Sequence, residues 1–369
     1  MMDPRVDKLA DVLVNYSTGG INKGDLVQIR VLDPVAEPLA LAVYKYVLLA
    51  GGNAFFRMSP SGASEIFYKY ASDEQLDYVP ELSKWIIENI DVDIALIADV
   101  NTKELSNVDP AKMARSRAAN RVISQRFMER QATGELRWTL TQYPTHASAQ
   151  DAEMSLSEYE DFVYTACMVH LDDPVAYWKE KAAEQQRLVD WLKGHDKVEV
   201  KGENIDLTLS IKDRVFINAD GKKNMPDGEI FTGPVEDSVN GWVRFTYPAI
   251  YNSREVDGVE LYFENGKVVK ATAEKGEDFL NSVLDTDEGA RYLGEFAIGT
   301  NTGIQKFTRN ILFDEKIGGT VHMAVGAGYP DTGSKNESAV HWDMICDMRS
   351  GGEIIVDGEL FYKDGEFQV

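Results

Sequence analysis

Two histidines and an aspartate in the C-terminal half are of the right type and spacing to hold a metal ion. His322 stands in GGTVHMAVGAGYP, and His341 and Asp343 stand in AVHWDMI. Both stretches alternate like strands, and side chains two apart on a strand share a face. His341 and Asp343 therefore point together, with Trp342 and Met344 opposite. Neutral imidazole and carboxylate suit zinc, cobalt, manganese or iron. A histidine on such a strand is otherwise explained as a core ring with its nitrogens hydrogen-bonded. Asp343 weighs against that, because an uncompensated carboxylate in an apolar strand is costly and demands a cation or donors.

Three further residues join the question. Glu229 follows a Pro-Asp-Gly turn in NMPDGEIFTGP and opens a short strand. Alone it reads as a solvated loop charge. Glu295 stands in LGEFAIG among Leu293, Phe296, Ala297 and Ile298, and a charge in such a segment needs a partner. Tyr329 closes a turn containing Gly326 and Gly328, which permit unusual backbone angles. Alone it reads as an aromatic turn residue packed before Pro330.

Taken together, GEIFTGP, RYLGEFAIGTN, GTVHMAVGAGYP and SAVHWDMI resemble the four signature blocks of the aminopeptidase T family of metallopeptidases, which includes the aminopeptidase S types. The resemblance covers most of the chain and is strongest from Asn224 to Met348. It departs slightly, as at Gly233. It implies five metal ligands, Glu229, Glu295, His322, His341 and Asp343, holding two divalent ions of zinc, cobalt, manganese or magnesium. It implies Tyr329 as a catalytic residue, with Glu295 our choice for steering the water proton. The activity it implies is hydrolysis of N-terminal residues from peptides with a free N-terminus, through a water activated by two metals. It also implies a homodimer. A second reading uses only His322, His341 and Asp343, as a facial triad on one Fe(II). Dihydroxypyridine dioxygenases, distantly similar to this family, use such a triad. The retained Glu229 and Glu295 argue against it.

The elements that must carry these residues divide the chain. Up to about residue 195, helical and strand patterns alternate. Helices are expected over 6–16, 38–50, 82–90, 111–132, 156–170 and 176–193. Strands are expected at LVQIRVL, NAFFRM, VDIALIADV and LRWTLTQYP. Strands separated by helices imply an α/β domain with a largely parallel sheet, over 1–195. From 196 to 369 the texture is strand alternation broken by turns, with one helix over 278–285. This part reads as a β-rich α+β domain that binds the metals. Asn265-Gly266 and Asp364-Gly365 mark two hairpins.

Composition narrows the function classes. The 369 residues carry 61 acidic against 38 basic side chains, a net charge of −23. Phosphate binding needs a cationic surface, so nucleic acid is excluded as a partner, and anionic membrane surfaces with it. No basic-then-apolar leader opens the chain, and the most apolar stretch is too short to span a bilayer. A soluble cytoplasmic protein is expected. Cys167 and Cys346 lie in apolar runs far apart and read as buried, reduced thiols.

Overall fold

The computed structural model describes residues 3–252 and 254–369. The chain forms two compact units, Met1–Trp178 with Gly221–Pro226, and Lys179–Asp220 with Asp227–Val369.

The first unit is built on the expected parallel sheet. Its strands run in the order Asn53–Met58, Leu26–Val31, Val92–Ile97, Arg137–Gln142 and Asn224–Met225, and every neighbouring pair is parallel. Val27, Ile29, Val31, Val92, Ile94 and Leu96 are fully buried. They alternate with Gln28, Arg30 and Asp93, so one face of these strands is wholly apolar and the other carries polar groups. The helix Glu37–Ala50 ends at Gly51, whose φ of 89° is the left-handed cap that only glycine adopts without strain.

Two local expectations are corrected here. The segment 111–132 is not one helix but two, Pro110–Ala119 and Arg121–Ala132. At Asn120 ψ turns to 1°, and its side-chain amide donates to the Ser116 carbonyl at 2.9 Å. The same carbonyl also accepts from the Asn120 backbone N–H at 3.0 Å. The sequence reading also passed over Ala63–Tyr70 and Asp73–Asp77, the latter opened by a Ser72–Gln75 capping box.

The second unit carries the strand-rich architecture. An eight-stranded sheet runs Lys267–Thr272, Glu260–Glu264, Asn240–Arg244, Ile205–Ser210, Lys197–Gly202, Glu353–Val356, Glu359–Lys363, Glu366–Phe367. Its hairpins turn where expected: Asn265 and Gly266 have φ of 48° and 83°, and Asp364 and Gly365 have 50° and 90°. Positive φ at both central residues is the signature of the tight hairpin turn.

The second sheet of this unit has five antiparallel strands, in the order His341–Asp347, Thr320–Gly326, Leu293–Gly299, Glu229–Thr232, Ile217–Ala219. The strand period of two separates its faces. Ile230, Phe296, Ile298, Val321, Met323, Val325, Trp342 and Met344 enter one continuous core with Val198, Leu207, Val243 and Phe263 of the larger sheet. The residues between them in sequence point the other way, and they include Glu229, Glu295, His322, His341 and Asp343.

Candidate metal centre

Strand register brings the predicted residues to one patch. Ala324 lies between Glu295 and Asp343 on the neighbouring strands, and Ala297 lies beside His322. Small side chains at the centre leave room between the polar ones. Glu295 is aimed by a bulge: the register shifts between Leu293 and Glu295. Gly294 permits the bend, since a Cβ there would meet the Ala327 carbonyl oxygen at 2.2 Å. Glu229 is placed through its main chain, whose carbonyl accepts from Gln185 Nε2 at 3.1 Å. Gln185 is itself fully buried and accepts from Thr300 Oγ1 at 2.8 Å.

Glu295 sits between the histidines. Its Oε1 is 3.5 Å from His322 Nε2 and its Oε2 is 3.4 Å from His341 Nε2. His322 Nε2 also lies 3.4 Å from Glu229 Oε2, and His341 Nε2 lies 3.6 Å from Asp343 Oδ1. His341 Nδ1 faces the Ala327 carbonyl at 2.8 Å. With Nδ1 donating to that oxygen, Nε2 is the nitrogen turned toward the acids, the arrangement that orients metal-binding imidazoles.

Two groups of three can each hold one ion, their ligand atoms lying within 4.8 Å of one another: Glu295 with His341 and Asp343, and Glu315 with His322 and Asp343. Asp343 belongs to both. The donor set fits a divalent metal on a second ground. Glu229 Oε2, Asp343 Oδ1 and His322 Nδ1 are buried without a hydrogen-bond partner, and leaving such groups unmatched is costly.

Electrostatics tell the same story. Burial raises Asp343 to about 6 and holds Glu229 well above the usual carboxylate range. Burial also works against the histidines, but the Glu295 carboxylate overrides it, lifting His322 to about 10 and His341 to about 9. Against the burial penalty, hydrogen bonds from the same two rings hold Glu295 down at about 2. The two rings and the carboxylate between them form one charged cluster.

Tyr329 follows Gly326, whose φ is 100°. Its ring, 45% exposed, stands edge-on to His341 at 5.2 Å and against Phe231 at 5.4 Å. Desolvation and the carboxylates of Glu295 and Asp343 raise its pKa, so the phenol keeps its proton.

Sequence reasoning missed Glu315 and Lys316. They follow the short helix Ile311–Asp314 in the run FDEK, which reads as solvated surface. Lys316 is instead wholly buried, ion-paired with Glu315 and 4.0 Å from Glu229 Oε1. Against the cost of burial, Glu315, Glu229 and Asp227 keep it charged. The available signal was the pair of glycines at 318 and 319, which let this loop lie on the sheet.

Residues 2–367 match the thermophilic metalloprotease (M29) family, and the chain belongs to it. It is 28% identical to Aminopeptidase 2 of Geobacillus stearothermophilus, over 99% of this chain and 95% of that one. It is 26% identical to Aminopeptidase AmpS of Bacillus subtilis, over 94% of each. With Aminopeptidase T of Thermus aquaticus it shares 30% identity over 71% of each chain. Its fold is that of wild-type AmpT from Thermus thermophilus, with a TM-score of 0.85 over the full length of both chains at 22% identity. Among the described residues, no helix is long and apolar enough to cross a membrane.

Proposed function

We propose that this protein is a metal-dependent aminopeptidase, releasing N-terminal residues from peptides with a free N-terminus, and that its reaction is carried by the part of the chain from 196 to 369. The observation that carries the reading is the pair of three-residue groups that share Asp343. Each contains one histidine and two carboxylates, the donor chemistry of a divalent ion of the zinc, cobalt, manganese or magnesium kind. Glu295, His341 and Asp343 would hold one ion, and Glu315, His322 and Asp343 the other. Glu229 would complete the second from the side of His322.

Bound divalent ions supply Lewis acidity and bring a water pKa toward about 7. The chain's own residues do the rest. Glu295 lies between both histidines, a place from which its carboxylate can steer the proton of an attacking water. Tyr329 keeps its proton and can donate a hydrogen bond to the oxyanion that develops on the scissile carbonyl. The excess of carboxylates favours a substrate's α-ammonium group, which limits attack to the peptide terminus.

A single-iron oxygenase would need His322, His341 and Asp343 together on one ion. The geometry favours the other reading, since Glu295 stands between the two rings and each group of three contains one histidine. A homodimer is supported by large apolar side chains exposed on helices of the first unit, among them Leu49, Ile66, Tyr70, Leu82 and Trp85. A cytoplasmic setting is supported by the two buried free thiols.

The test is release of N-terminal residues from short peptides with added Co²⁺, Zn²⁺ or Mn²⁺. The Glu295→Ala and His341→Ala variants are expected to be inactive. Full activity of both in metal-stripped buffer would overturn the reading.

A further inference from the structure

Lys316 is a buried lysine set among the acids of this region. A fully buried lysine is rare unless paired, and this one is surrounded by acids. Its main chain is locked: the N–H donates to the Phe313 carbonyl at 3.0 Å and the carbonyl accepts from Asn301 N–H at 3.1 Å. A Cβ at Gly299 would meet the Ile317 carbonyl oxygen at 2.2 Å, so glycine is what lets the loop bearing Lys316 press onto the strand. The ammonium is therefore delivered to a fixed place.

From that place it divides the oxygens of its neighbours. Lys316 Nζ pairs with Glu315 Oε1 and faces Glu229 Oε1 at 4.0 Å. The other oxygen of Glu229 faces His322 Nε2 at 3.4 Å and has no hydrogen-bond partner. An ammonium has three donors and no acceptor, so it cannot itself take a metal. It holds one oxygen of Glu315 and draws the near oxygen of Glu229 electrostatically across 4.0 Å.

We propose that Lys316 is a positioning residue of the metal centre: a fixed internal cation that restricts Glu229 and Glu315 to one ligating oxygen each and so sets which divalent ions the cluster prefers. The proposal rests on the metal-binding reading above. Removing the ammonium leaves an extra negative charge and frees two carboxylates for two-oxygen ligation. Larger, oxygen-seeking ions gain most from that, and zinc, content with few ligands, gains least.

The experiment titrates metal-free full-length protein with Mn²⁺ and with Zn²⁺ by calorimetry, for wild type, Lys316→Met, Lys316→Gln and Lys316→Arg. Circular dichroism and melting check the fold. In the Met and Gln variants Mn²⁺ binding is expected to tighten by at least about tenfold, with a smaller change for Zn²⁺. The Arg variant is expected to stay near wild type. If the Met variant does not fold, the Gln variant, which keeps a hydrogen-bond donor for Glu315, carries the test. A folded neutral variant whose Mn²⁺-to-Zn²⁺ affinity ratio equals that of wild type overturns the proposal. Wild-type protein that takes up no divalent ion would instead overturn the metal-centre reading on which it rests.

Discussion

Asp93 in the first unit and Asp343 in the second are both buried acids on sheet strands, and they are treated in opposite ways. Asp93 is 3% exposed, and both its oxygens are engaged, by Gln28 Nε2 at 2.7 Å and Arg30 Nη2 at 2.8 Å. Asp343 has a buried oxygen with no hydrogen-bond partner, and its neighbours are mostly other acids and the rings that Glu295 already holds. The Asp93 carboxylate is matched at both oxygens by neighbouring side chains. The Asp343 arrangement is incomplete as protein, and a cation of the kind this family uses would complete it. Buried carboxylates alone therefore do not mark a site. Their unmatched oxygens do.

The largest test of this contrast is on activity. His341→Ala should drop peptide hydrolysis to background in steady-state assays, whereas Asp93→Asn should leave turnover unchanged. Equal losses would erase the distinction between the two acids. Next in size is Tyr329→Phe, which should lower kcat about 10²–10³-fold with little change in KM, the effect of losing one donor to a developing oxyanion. An unchanged kcat would return Tyr329 to the role of a turn aromatic packed on Phe231.

Stability should move in opposite directions at the two acids. Asp93→Asn is expected to cost about 1–3 kcal/mol in urea unfolding, with or without metal, because both oxygens of the buried carboxylate accept hydrogen bonds. Asp343→Asn should be neutral or stabilising in metal-free protein, since it removes a carboxylate that burial disfavours. Destabilisation by both would mean that Asp343 is satisfied by protein alone.

The smallest effect is on pH dependence. Asp343 sits at about 6, above its ordinary 3.8, so its ionisation penalises the metal-free fold increasingly as pH rises from about 4 to 6. His322 and His341, raised to about 10 and 9 from 6.5, stabilise that fold below 6.5 and lose this contribution as pH climbs through 9 and 10. Glu295 at about 2 contributes above its ordinary 4.5 and loses this only as pH falls toward 2. Metal must displace the protons on the rings, so loading strengthens with pH. The gain in Tm on adding metal should therefore grow from pH 6 to 9. A constant gain would show that the rings are not protonated in metal-free protein.

Much of this was legible in the sequence, because strand alternation is a strong signal. It put His341 and Asp343 on one face and Trp342 and Met344 in the core, as the structure has them. Glu295 stood out because its neighbours were apolar. The parallel sheet followed from alternating helix and strand patterns, and the hairpins followed from Asn-Gly and Asp-Gly. Glu315 and Lys316 were hidden because a charged run looks the same whether it faces water or folds inward. Only tertiary packing against Gly299 decides between the two. The break at Asn120 was hidden because the helical pattern runs on through both sides of it.

The central claim is that the patch around Glu295 and Asp343 is a two-ion centre. The most direct test is the metal content of purified full-length protein equilibrated with Zn²⁺, Co²⁺ or Mn²⁺, compared with the His341→Ala and Asp343→Ala variants. The account predicts two divalent ions per chain in wild type, with His341→Ala losing one and Asp343→Ala weakening both. One iron per chain, or an uptake indifferent to these substitutions, would contradict it.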